Sequence, residues 1–226
     1  PLTDNRRHIK IVAVSDIHLG NGTGKTSLKQ YVKMINEQNP DLILIGGDLI
    51  DNSVIPLYAE NMAEELTELK APLGIYMVPG NHEYISGIDK SIQFIQNTPI
   101  QLLRDSVVTL PCSIQLIGRD DRSNARRLPL QKLMARIDKS KPVILLDHQP
   151  YQLAESQAAG IDLQFSGHTH HGQVWPMNWV TDHLYEQSHG YRQWENSHIY
   201  VSSGLSLWGP PFRIGTESEM VVLQLH

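Results

Sequence analysis

"DLILIGGDLIDN" occupies residues 41–52, and its two halves read differently. "LILI" is apolar at every position and strand-sized, as a buried strand should be. Two glycines follow it, and then two carboxylates, Asp48 and Asp51. Open α/β sheets place ligands at the C-terminal ends of their strands, so this is where chemistry is expected. The flanking sequence repeats the arrangement. "IKIVAVS" (9–15) reads as a strand and runs into Asp16 and His18. "TSLKQYVKMINEQ" (26–38) is an amphipathic helix stopped by Asn39-Pro40. "PLYAENMAEELTELK" (56–70) is the next helix, with Pro56 near its start. "PLGIYMVPG" (72–80) is a third strand and delivers Asn81, His82 and Glu83.

Further along, "IDKSIQFIQN" (88–97) predicts a helix, and "SVVTL" (106–110) and "CSIQLIG" (112–118) predict two antiparallel strands around Pro111. Helices over 128–138 and 151–160 frame the strand "PVILLDH" (142–148), which ends on His148. "IDLQFSGH" (161–168) leads into "SGHTHHGQVW" (166–175), the most histidine-rich stretch of the chain. If that stretch is extended, His168 and His170 point the same way. "HIYVSS" (198–203) and "EMVVLQLH" (219–226) supply late strands. The early βαβαβ rhythm implies a parallel sheet flanked by helices, and the later strands imply a second, mixed or antiparallel sheet. With no linker, repeat or low-complexity segment, one domain over 1–226 is the simplest organisation.

Bulk properties exclude several classes. Hydrophobic residues make up 40% and charged ones 19% of 226 residues, a globular balance. A formal charge of −5 supplies no global basic field for nucleic acid or an anionic membrane, so nucleic acid is a disfavoured partner. The single Cys112 cannot form an internal disulfide and is expected to be a small buried hydrophobe. No apolar run is long enough for a transmembrane helix. The chain opens on Pro1, so an anchor or signal is expected to have preceded it in a longer parent, while its compartment is left open. No obligate protein partner is evident.

Each strand-end cluster alone is weak evidence, because a D-x-H is often a helix cap beside a surface histidine. Five such clusters at strand ends carry more weight. Mixed carboxylate, imidazole and amide ligands suit a pair of divalent ions such as Mn²⁺, Fe²⁺ or Zn²⁺. Two ions about 3.5–4 Å apart form a clamp for in-line displacement at phosphorus. Asp48 is the candidate bridge between them.

Read in order, "DIH" (16–18), "GDLID" (47–51), "GNHE" (80–83), His148 and "GHTH" (167–170) resemble the calcineurin-like metallophosphoesterase superfamily. The resemblance implies a four-layer α/β/β/α sandwich of two mixed sheets with a dimetal site above them. It implies that Asp16, His18 and His170 bind one ion, that Asn81, His148 and His168 bind the other, and that Asp48 is shared. It further implies a proton-donor role for His82, oriented by Asp51, in hydroxide attack on a phosphoester. "GHTHHGQ" with the tail "GPPFRIG" is similar to small bacterial, often membrane-associated, phosphoesterases with a GHTHGGQ signature, many acting on lipid-linked or envelope phosphoesters. His171 departs from that signature, and Asn52 stands where protein Ser/Thr phosphatases have Arg.

A nucleotide loop in "LGNGTGKTS" (19–27) fails because Leu19 stands where the first glycine is required. His171 and Arg213 are candidate substrate contacts, Arg213 equally a partner for a carboxylate. His183, His189 and His198 are expected at the surface or in structural roles. The aromatic-rich segment 174–197 is expected to be a cap whose aromatics pack as core, or else a lid over an apolar part of the substrate. The leading expectation is a phosphodiester or pyrophosphate hydrolase. The alternatives are a phosphomonoesterase or nuclease using the same site, or a metal-binding module without turnover.

Overall fold

A computed structural model describes residues 8–226. Its strands are β1 (Ile9–Val14), β2 (Leu42–Ile45), β3 (Ile75–Met77), β4 (Ile100–Leu102), β5 (Ser106–Thr109), β6 (Gln115–Gly118), β7 (Val143–Leu146), β8 (Leu163–Ser166), β9 (Gly190–Trp194), β10 (Ser197–Val201) and β11 (Val221–Leu225). The helices are α1 (Lys25–Glu37), α2 (Ile55–Ala59), α3 (Met62–Leu66), α4 (Asn81–Ile85), α5 (Ile88–Ile95), α6 (Leu130–Met134), α7 (Leu153–Ala159) and α8 (Met177–Leu184).

The strands form two mixed sheets, in the orders β11-β1-β2-β3-β4 and β5-β6-β7-β8-β10-β9. β1 through β4 pair in parallel, and β11 lies antiparallel on β1. In the second sheet β6, β7, β8 and β10 are parallel, with β5 and β9 as antiparallel edges.

Strand alternation builds the layers. Ile11 and Ala13 of β1 and Leu42 and Leu44 of β2 bury against Leu116, Ile144, Leu146 and Phe165 of the other sheet. The intervening Val12, Val14, Ile43 and Ile45 face the opposite way and pack with Leu28, Val32 and Ile35 of α1 and Leu57 of α2. On the far side, Ile117, Val143 and Leu145 pack under Leu130 and Leu133 of α6. The period of two thus puts each strand's residues into two different apolar layers, and the order is α/β/β/α. Parallel strands start at one end of each sheet, so their C-terminal ends converge on one rim.

Some expected boundaries shift. The helix expected over 56–70 breaks into α2 and α3 because Asn61 adopts a left-handed conformation (φ 55°), which Asn tolerates. β4 and β9 are short edge strands without a strong apolar pattern, and the sequence reading passed over both. The 174–197 segment divides into α8 and β9. Its aromatics divide: α8 buries none of its residues and Trp175 and Trp179 are 53% and 64% exposed, whereas Trp194 of β9 packs partly buried against Leu153, Ile199 and Val201. Cys112 is buried in the layer between the sheets, in keeping with a small apolar role.

Candidate metal centre

Asp16 and His18 follow β1, Asp48 follows β2, Asn81 and His82 begin α4 after β3, His148 follows β7, and His168 and His170 follow β8. All of these loops meet on the shared rim. Asp16, His18, Asp48, His168 and His170 each have positive φ, between 48° and 74°. Such conformations carry local strain in residues other than glycine, and clusters of them mark functional sites. The strained loops are held by their neighbours. Asp16 accepts the His168 N–H through both oxygens at 3.1 Å, and the Asp48 carbonyl accepts the N–H groups of Ile17 and His18.

His168 and His170 were read as neighbours on an extended segment. Instead the chain turns, with 170–172 forming one 3₁₀ turn. The turn sends the two imidazoles to different partners. His170 Nε2 lies 3.0 Å from His18 Nε2 and 3.5 Å from Asp16 Oδ1. His168 Nδ1 lies 2.9 Å from Asn81 Oδ1, which is 3.1 Å from His148 Nε2. Asp48 stands between these groups, with Oδ2 3.1 Å from His148 Nε2 and 3.9 Å from His18 Nε2.

Ligand atoms 3–4 Å apart are spaced as donors about 2 Å from a common ion must be. Asp16, His18 and His170 form one such group, and Asp48, His148 and His168 another. Protonation fits cation binding. Burial brings His168 and His170 down to about 4, so both offer neutral lone pairs at neutral pH. Burial also disfavours the charged form of His148, but Asp48 more than reverses this and holds its pKa well above the ordinary value. A cation would replace that proton. His148 Nδ1 faces the Gly46 carbonyl at 2.8 Å, a contact that fixes Nδ1–H as donor and leaves Nε2 toward the site.

Two glycines permit the crowding. A Cβ on Gly80 would lie 2.1 Å from Asp48 Oδ1, and one on Gly167 would lie 1.8 Å from Ser15 Oγ. Glu83, beyond Gly80, is wholly buried and accepts from the N–H groups of Asp48, Ile50 and Gly80 at 2.7–3.0 Å. It ties the loops after β2 and β3 together. Burial and the nearby Asp48 raise its pKa to about 7.

His82 belongs to neither of these two groups, though with His18 and Asp51 it forms a third cluster of possible donors. Its Nδ1 lies 3.1 Å from the Asp51 carbonyl oxygen and 3.3 Å from Asp51 Oδ1, and its own N–H donates to Asp48 Oδ1. Burial lowers its pKa, but Asp51 and Asp48 outweigh burial and raise it above the usual imidazole value. Asp51 Oδ1 is also 3.5 Å from His18 Nδ1, a second contact that sequence spacing did not reveal. Asp147, next to His148, points away and pairs with Arg119 and Arg127.

The two candidate substrate contacts do not reach the cavity above these residues. Arg213 turns inward, donating to the carbonyls of Ser203 and Ser206 at 2.7 Å and of His170 at 3.1 Å. Carbonyl oxygens left bare by the irregular 203–206 loop attract its fork of donors more closely than any carboxylate does. His171 stacks on His189 with ring centroids 4.6 Å apart and lies 3.6 Å from Asp182, outside the cavity lining. His189 itself lies 3.7 Å from Glu219.

Glu219 closes the same loop, accepting the Ser203 N–H and the Tyr200 hydroxyl. Burial would raise its pKa, but His189 and these hydrogen bonds bring it from 4.5 to about 2. A lowered carboxylate pKa stabilises the fold above the unfolded-state value and ceases to do so as pH falls through the folded one. Between pH 4.5 and about 2, wild type should therefore lose melting temperature more steeply than Glu219→Gln. Parallel melting curves check this, and identical slopes would remove Glu219 from the acid response.

Trp208 and Gln173 escaped the sequence reading. Both line a cavity of about 360 Å³ over His18, Asp48, Asn81, His82, His168 and His170. The signal for Gln173 was present in "GHTHHGQ", whose final residue had no assigned task.

The structure is a sandwich of two mixed sheets that gathers carboxylate, imidazole and amide donors suited to divalent ions on its rim. The chain belongs to the calcineurin-like phosphoesterase family, whose profile matches residues 9–172. An uncharacterized metallophosphoesterase of Helicobacter pylori J99 is 35% identical over 225 residues, covering 97% of this chain and 60% of that protein. A zebrafish transmembrane protein with metallophosphoesterase domain is 32% identical, covering 99% of this chain and 54% of its own length. An Aquifex aeolicus metallophosphoesterase is 30% identical, covering 96% and 85% respectively. The chain therefore spans about three fifths or less of the Helicobacter and zebrafish relatives. Among solved structures, the 5'-nucleotidase precursor of Thermus thermophilus superposes with a TM-score of 0.55 at 14% identity, covering 96% of this chain and 54% of that one. The fold is thus shared with proteins of very different sequence.

Proposed function

We propose that this domain hydrolyses a phosphodiester or pyrophosphate bond using two divalent ions, with Mn²⁺, Fe²⁺ and Zn²⁺ as the candidate metals. The observation that supports the two-ion part of this reading is Asp48, whose Oδ2 lies 3.1 Å from His148 Nε2 in its own ligand group and 3.9 Å from His18 Nε2 in the other; the diester preference rests on the family resemblance. Asp16, His18 and His170 would hold one ion, Asn81, His148 and His168 the other, and Asp48 both. When bound, such ions supply hydroxide near neutral pH and draw charge from the phosphoryl oxygens.

The protein's own groups do the rest. Glu83 holds the Asp48 and Gly80 loops in fixed relation. His82, whose pKa Asp51 and Asp48 raise above the usual imidazole value against burial, is placed to donate a proton to the departing oxygen. Asp51 orients that imidazole through Nδ1.

Among the described residues no helix is long and apolar enough to cross a membrane. The names of the zebrafish and bovine relatives and the partial coverage of their length support a membrane-tethered parent protein.

Hydrolysis of bis(p-nitrophenyl) phosphate against p-nitrophenyl phosphate, after chelation and Mn²⁺ reloading, tests the proposal. A Mn²⁺-restored diester rate exceeding the monoester rate is expected. A dominant monoester rate would make the domain a phosphomonoesterase, and no turnover with metal demonstrably bound would favour a binding module.

A further inference from the structure

The rim above the ligand groups opens into two cavities, not one. The first, of about 360 Å³, is walled beyond the polar centre by Val174, Met177, Trp208 and Pro210. The second, of about 420 Å³, is reached past His18 and Asp51 and is walled by Thr23, Ser27, Tyr31, Asn52 and Ser206. Trp208 lines both. One wall set is apolar and the other presents four hydroxyls and an amide.

Trp208 stands between the two cavities with its backbone held in place and its indole half exposed. Gln173, 3% exposed, accepts the Trp208 N–H through Oε1 at 2.7 Å. Its Nε2 donates back to the Trp208 carbonyl at 2.6 Å and to the Pro210 carbonyl at 3.0 Å. A side-chain amide paired to one residue's N–H and C=O fixes that backbone in place. The indole then stands edge-on to His82, at 6.3 Å between centroids, and 6.4 Å from His170. The hydroxyl cavity is likewise braced, by a 2.8 Å bond between Thr23 and Ser206. This gives the loop 19–24 a task that its resemblance to a nucleotide loop did not.

The apolar wall continues outward. Trp175, Met177, Trp179 and Leu184 around α8 and Phe212 on the facing loop are each at least half exposed. Apolar side chains left uncovered beside a cavity favour a ligand that extends apolar surface out of it.

We infer that the site takes an asymmetric phosphoester, with a hydrocarbon substituent in the Val174–Met177 cavity and a hydroxyl-bearing substituent in the Thr23–Ser27–Tyr31 cavity, and that Trp208 is the specificity-determining wall between them. This rests on the phosphoesterase reading for the place of the phosphorus, so its test reads binding and not turnover. Calorimetry of n-alkylphosphonates from ethyl to octyl on the Mn²⁺-loaded protein supplies that reading. Affinity should rise with chain length, approaching about fourfold per fully buried methylene. Met177→Asp should flatten the rise. Glycerol 3-phosphate should bind more tightly than propyl phosphate, and Tyr31→Phe with Ser27→Ala should remove the difference. Trp208→Ala, by joining the cavities, should weaken both preferences at once, with metal stoichiometry unchanged. A flat chain-length series in wild type overturns the apolar assignment, and preferences untouched in Trp208→Ala overturn the partition. Rising affinity with no hydrolysis of either chromogenic ester would instead sink the phosphoesterase reading and leave the two-cavity assignment standing.

Discussion

Asp48→Asn should remove metal loading and turnover together. The substitution keeps the shape and still lets the side-chain oxygen accept the His82 N–H, which Asp48 accepts at 2.9 Å. What it removes is the charge placed between His18 and His148. Burial opposes that charge, yet His148, His18 and His82 together hold the Asp48 carboxyl well below the ordinary carboxylate range. A neutral amide offers one oxygen in place of two, and no compensation for two cations. Metal affinity should fall by more than the roughly 10–100-fold typical of losing a supporting partner. Turnover should fall on the order of 10³-fold, the scale of losing one strong electrostatic contact to the transition state. Elemental analysis after dialysis and initial rates on one diester measure both. Full metal stoichiometry in the variant would show that Asp48 is not a shared ligand. Retained melting temperature of the metal-free variant would separate this effect from misfolding.

His82→Ala should show a different signature, because His82 contacts the ligand groups without belonging to either. Metal stoichiometry should stay intact while kcat/KM for an alkyl diester falls by roughly 10²–10⁴-fold, the range for general acid catalysis. The loss should be much smaller for a p-nitrophenyl ester, whose leaving phenolate needs little help from a proton. The sign of the pH effect follows from the raised His82 pKa. The protonated imidazole is the active form, so wild-type activity on the alkyl ester should decline as pH rises through that pKa. The variant should lack this limb. Equal losses on both esters would exclude proton donation and leave His82 a role in holding Asp48 and Asp51.

How much of this was legible beforehand differs from residue to residue. Strand identity was open in "IKIVAVS" and "DLILIGG", because consecutive apolar residues bounded by glycine or a charged residue leave few other solutions. The candidate donors were legible in the same way, as acids, amides and imidazoles following strand after strand, while their division between two ions came only from the family resemblance. The path of the loops was not. An extended segment would aim His168 and His170 the same way, the family resemblance assigned them to different ions, and the 3₁₀ turn at 170–172 is the local path that separates them. Arg213 was open to a phosphate or a carboxylate, because no sequence pattern announces the bare carbonyls of 203–206 that capture it. The aromatics of 174–197 could have been core or an exposed lid, since apolar content does not reveal what is left to pack against them: Trp194 finds a core cluster and Trp175 and Trp179 do not.

The sequence by itself determined most strands and the candidate donor residues at their ends, while the α/β/β/α layering came with the family resemblance. Strands and donors depend on local information, namely side-chain period along a strand and residue type at its end. Tertiary structure decided which donors face each other, that Asp51 meets His18 as well as His82, and that Gln173 holds Trp208 between two cavities. Those facts join residues 31 to 154 positions apart, and such distances are set by how two sheets pack rather than by any pattern within one segment.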